Sequence, residues 1–139
     1  MAVICVLVWF FVLCWYDIRE RRLPNWLTVP GAVGVLTWSA TTGHGVAAVA
    51  GAATLFAIYL ALHLIGPASM GAGDVKLAVG IGALTGAFGV DVWVLAALGA
   101  PLVTAALAVG VQLSSARRSV PHGPSMCVTA AVATALATV

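Results

Sequence analysis

Long apolar stretches, broken by short clusters of glycine, proline and charge, divide the chain into six segments: about 1–16, 26–42, 46–66, 75–90, 92–113 and 122–139. None keeps the period of two that a half-exposed strand requires, and most approach the roughly 20 apolar residues that cross a bilayer as a helix. Backbone groups in lipid must pair within their own segment, which predicts helices. The runs are too long and too unalternating for the strands of a membrane barrel. The first and last segments are short and the fourth is glycine-rich, so their ends are the least sharply marked. The pattern predicts one domain over 1–139, an all-α integral membrane protein built as a bundle of about six transmembrane helices.

Composition strengthens this. Hydrophobic residues make up 63% of the chain and charged residues 7%, against the roughly one quarter charged that ordinary soluble domains carry. A core formed by 139 residues cannot hide that much apolar surface, so the partner is the lipid bilayer, and no nucleic-acid partner is expected. Charge placement then orients the bundle. The basic residues Arg19, Arg21, Arg22, Arg117 and Arg118 fall between segments 1 and 2 or 5 and 6, and Lys76 falls at the junction of segments 3 and 4. Basic loops mark the cytoplasmic side, so both termini are expected outside. The opening "MAVICVLVWFFVLCWY" lacks a basic n-region and a small-residue cleavage site, and reads as a retained first span. Cys5, Cys14 and Cys127 have no paired spacing, which predicts neither a disulfide framework nor a zinc site. His44, His63 and His122 lack metal-ligand spacing, so no metal and no cofactor are expected.

Four acids remain to be explained. Asp91 reads as a solvated helix-end charge on the outer side, and Glu20, within "DIRERR", as an exposed ion-pair partner. Asp17 ends the first apolar run, and Asp74 opens the fourth after "GAG"; the charge-based layout puts both at the cytoplasmic boundary. Asp74 can serve as a helix cap, and Asp17 can simply end a span. Ionisable groups at membrane depth are more often functional, and two carboxylates brought together suggest aspartic-protease chemistry in which the pair shares one proton. On this reading the N-terminus of the fourth helix biases Asp74 toward the ionised form. Gly71 and Gly73, without Cβ atoms, let backbone or substrate approach Asp74 closely. "GAGDVK" is not a dinucleotide loop, because Lys76 stands where the third glycine belongs. Gly82 and Gly86, one turn apart, form a small-residue face for helix packing.

Three blocks together resemble a known family. "DIRERRLPN" is similar to the D-x-R-x-R-x-I-P-N stretch of type IV prepilin leader peptidases, with Leu23 for isoleucine. "GAGDVKLAVGIG" resembles that family's G-x-G-D-x-K-L segment, and "VPHGPSMCVTA" its P-x-G-P motif, through Pro121, Gly123 and Pro124. They occur in the family's order and span essentially the whole chain. The resemblance implies a membrane aspartic endopeptidase that removes the short basic leader of prepilins or pseudopilins on the cytoplasmic side, before their apolar helix. Asp17 and Asp74 match its catalytic aspartates. Lys76 matches a commonly basic position, where it either snorkels to the interface or helps to hold the substrate or the acid pair. Pro24 and Asn25 are expected to shape the turn into the second span.

The chain also departs from the family. Larger members carry a cysteine-rich zinc-type region ahead of the core and also methylate the new N-terminus. This sequence resembles the small peptidase-only form of Flp/Tad-type pili, so methyltransferase activity is not expected. His122 occupies a position that is more usually apolar. Two alternatives remain open. The presenilin and signal-peptide-peptidase group also pairs Tyr-Asp with G-x-G-D, as Tyr16-Asp17 would here, although its aspartates lie deeper in their spans. A small transporter could instead use the two carboxylates as a proton relay.

Overall fold

The computed structural model describes residues 2–67, 70–113 and 122–138. Arg117, Arg118 and Pro121, singled out above, lie outside the described residues. Among those described, the chain forms six helices and no strand: α1 (Ala2–Glu20), α2 (Asn25–Thr41), α3 (Gly45–Ile65), α4 (Ala72–Phe88), α5 (Val90–Leu113) and α6 (Gly123–Thr138). The predicted segments are recovered within a few residues, and the differences matter at two ends. α1 runs through Asp17 to Glu20, so the carboxylate lies inside the last helical turn. α4 begins at Ala72, with Gly71 as its N-cap, so Asp74 falls in the first turn and not at the cap itself.

Two helices, Gly45–Ile65 and Val90–Gln112, are long and apolar enough to cross a membrane by length and composition, and Gly123–Thr138 is a shorter apolar helix. α2 and α4 have 17 residues each. Many large apolar side chains point outward, among them Phe11 at 68% exposure, Val46 at 87% and Leu102 at 68%. Soluble monomers rarely expose apolar surface on that scale.

α4 is the centre of the molecule, in contact with α2, α3, α5 and α6. From Asp74 to Ala87 nearly every residue is buried, and many are glycine or alanine. Small residues allow close approach where no water-driven hydrophobic force holds helices together. The closest crossing is with α3. A Cβ on Gly82 would overlap the Gly51 carbonyl oxygen, and one on Gly86 would lie 2.7 Å from the Ala47 oxygen. The small-residue face predicted at Gly82 and Gly86 is therefore this interface. Trp93 on α5 seals it from the side, its indole N–H donating to the Gly51 oxygen at 3.0 Å. α1 enters through Trp9, whose indole N–H donates to Leu27 O at 2.9 Å and whose ring fills the space that a Cβ on Gly31 or Gly80 would need.

Candidate active site

The ends of α1 and α3 and the starts of α2, α4 and α6 gather at one end of the bundle, where contacts cross between them. Lys76 Nζ donates to Asn25 Oδ1 at 2.8 Å, tying the start of α4 to the start of α2. Pro24 is the N-cap of α2, in extended geometry, and its carbonyl accepts the first helical N–H bonds of Leu27 and Thr28. Leu23 is buried against Gly73, where a Cβ would come within 3.1 Å of Leu23 Cβ. His63 Nδ1 lies 2.7 Å from Met70 O; a carbonyl only accepts, so Nδ1 carries the proton, and the bond fixes the approach to α4.

Asp17 and Asp74 are 8% and 9% exposed, although Ile18, Arg19 and Glu20 beside Asp17 are open. The Asp17 Oδ2 accepts the backbone N–H of Gly123 at 3.1 Å. Gly123 is the first residue of α6, so the positive end of that helix faces the carboxylate. A Cβ at Gly123 would sit 2.6 Å from Oδ2, so only glycine admits this contact. The Asp74 carboxylate reaches back to the N–H of Gly71, the N-cap of its own helix, which is half of a capping box. The two carboxylates interact with each other. The Cys14 and Cys127 thiols lie beside one another about a turn deeper than Asp17, and Tyr59 of α3 stands within electrostatic reach of Asp74.

Both carboxyls stand just outside the apolar runs 1–16 and 75–90. Burial pushes Asp17 above the usual carboxylate range, opposed by the Gly123 hydrogen bond and by Arg21. Asp74 is pushed up to about 6, chiefly by burial and then by the neighbouring Asp17 charge, against the Gly71 hydrogen bond. Such a pair titrates as a unit. Each carboxylate meets a helix N-terminus, so that effect does not distinguish them.

The candidate site residues Asp17, Pro24, Asn25, Gly71, Gly73, Asp74 and Lys76 lie at this end, but in separate pairings. Asp17 lies within electrostatic reach of Asp74, Gly71 meets Asp74, Gly73 meets Leu23, and Lys76 meets Asn25. The role of Gly123 was hidden, because its motif gave a match without indicating which atom would be used. The joining of Tyr59 and Thr104 to His122 was not foreseen: each lies in a different segment, and nothing in their spacing joins them.

A sequence model of the type IV leader peptidase family matches residues 4–138, nearly the whole chain. The chain belongs to the type IV leader peptidase family. Membership makes it a peptidase and carries the family's association with membranes, in keeping with its two span-length apolar helices. No curated protein and no solved structure matches the chain significantly.

Proposed function

We propose that this leader peptidase is a single-domain aspartic endopeptidase that crosses the cytoplasmic membrane six times, with both termini outside. Its substrates are prepilins or pseudopilins, whose short basic leader it removes at the cytoplasmic face, before the apolar helix. The observation that carries this reading is the placement of two buried carboxylates within electrostatic reach of one another, Asp17 from α1 and Asp74 from α4, at the end of the bundle holding Arg19, Arg21, Arg22 and Lys76.

The pair holds one proton. Asp17, kept ionised by the Gly123 N–H, takes a proton from a water molecule as that water's oxygen bonds to the scissile carbonyl carbon. Protonated Asp74 hydrogen-bonds the carbonyl oxygen as negative charge develops there. Collapse of the tetrahedral intermediate breaks the C–N bond, and a proton from the pair passes to the leaving amine. Gly71 leaves the approach to Asp74 narrow in side-chain volume, while Pro24, Asn25 and Lys76 shape the rim.

The test is co-expression with a prepilin, followed by its mobility shift and the N-terminal sequence of the product. Asp17→Asn and Asp74→Asn should each abolish processing while still inserting in the membrane. Undiminished cleavage by either variant would sink the assignment. A cut inside the apolar helix, not before it, would move the protein to the intramembrane-protease reading.

A further inference from the structure

His122 precedes α6 and contributes to the structure at three points. Its carbonyl accepts the N–H of Met126 at 3.1 Å, the first hydrogen bond of the helix, so it occupies the N-cap position. Its ring lies between two helices, with Nδ1 2.6 Å from Thr104 Oγ1 of α5 and Nε2 3.0 Å from the Tyr59 hydroxyl of α3. The peptide that follows it carries the Gly123 N–H that reaches Asp17.

The hydrogen atoms can be assigned. Thr104 Oγ1 donates its proton to Ala100 O at 3.0 Å, so toward His122 it can only accept. Nδ1 therefore carries the imidazole proton, Nε2 of the neutral ring is a lone pair, and Tyr59 donates to it. One tautomer satisfies every partner. The ring is thus fixed from α3 and α5, and with it the start of α6. Pro124 follows Gly123 and has no N–H, so Ser125 N–H cannot stand in for Gly123 without turning the helix end. Tyr59, the other end of this chain, lies within electrostatic reach of Asp74.

We infer that His122 is a positioning residue for the acid pair: clamped by Tyr59 and Thr104, it holds the first turn of α6 so that the Gly123 N–H stays on Asp17. The inference rests on the reading of Asp17 and Asp74 as the reacting pair. His122 touches neither carboxylate through its side chain and acts through the backbone it anchors.

The experiment measures kcat and KM against pH for the full-length enzyme in detergent micelles. The probe is a synthetic peptide with a short basic leader followed by an apolar helix. His122→Leu should lower kcat by about 10- to 100-fold, the scale of a small misplacement of a reacting group, with KM within about twofold. The loss should move the acid limb of the profile to higher pH, because a carboxylate deprived of an N–H donor holds its proton more strongly. The other groups facing Asp17, namely Arg21, Asp74, Cys14 and Cys127, are unchanged in this variant. His122→Gln, which can still accept from Tyr59, should recover part of kcat. If His122→Leu fails to insert, Tyr59→Phe and Thr104→Val, each removing one clamp, should show the same shift in smaller measure. An acid limb that stays in place in these variants, or a kcat within twofold of the wild type, overturns the inference. Asp17→Asn in the same assay separates the two claims: full activity there defeats the dyad, whereas an inactive Asp17→Asn beside an unshifted His122→Leu defeats only the positioning role.

Discussion

α4 and α5 are neighbours in sequence and opposites in use. α5 has 24 residues, rich in leucine and valine, and keeps Leu98 and Leu102 exposed. α4 has 17 residues, four of them glycine or alanine between Gly80 and Gly86, yet it is buried on all sides and carries Asp74. In water, the more apolar helix would be expected inside. Here the helix with the larger apolar side chains faces outward and the one with the smaller side chains forms the core, as expected when the surroundings are as apolar as the interior. Close backbone approach, not hydrophobicity, marks the centre.

The strongest way to test this contrast is to remove one carboxylate from each helix. Asp74→Asn in α4 should reduce prepilin cleavage at least about a thousandfold, in line with losing one member of a concerted catalytic unit. Asp91→Asn, at the exposed start of α5, should leave it within about twofold in the same mobility-shift assay. Packing gives the next largest difference. Gly82→Leu forces side-chain atoms into the Gly51 carbonyl and Leu55, at a cost of about 3 kcal/mol or more, and thermal unfolding in detergent should show it. Leu98→Ala on the outward face of α5 should stay within about 0.5 kcal/mol.

Acidity sharpens the comparison further. Burial pushes Asp74 up to about 6, so on the proposed mechanism raising the pH past that value strips the proton that the pair would give to the carbonyl oxygen and the leaving amine. The rate should fall on the alkaline side, by up to about tenfold per pH unit, since each unit removes that fraction of the protonated form. A pH–rate profile that still rises between pH 6 and 8 would contradict the shared-proton arrangement. The smallest effect is expected at the rim. Lys76→Met and Asn25→Ala should each cost a few-fold in rate, consistent with an exposed hydrogen bond worth about 1 kcal/mol. The double variant should be no worse than either single one, because both remove the same contact.

The helices were legible because apolar runs bounded by glycine, proline and charge leave little else for the chain to do. The joint placement of Asp17 and Asp74 was legible too, through the sorting of arginine and lysine among the connections. The inside of the bundle was not. A pattern of apolar and polar positions separates protein from water, and it cannot separate a helix neighbour from lipid. For the same reason Gly73, read as room beside Asp74, turned out to be spaced for Leu23. The contact of Gly123 with Asp17 uses a backbone N–H, which has no letter in a sequence. The link of Tyr59 and Thr104 to His122 joins three segments whose order says nothing of their distance.

Gly82 and Gly123 each exclude any added side chain, yet they govern different quantities. At Gly82 the obstruction is another helix's backbone, so a substitution there should deplete the protein from the membrane. At Gly123 the obstruction is a carboxylate oxygen at the edge of the bundle, so a substitution should leave the amount of protein largely intact and silence it. A mutational scan scored on abundance would report the first glycine and pass over the second, and only a scan scored on cleavage would recover both.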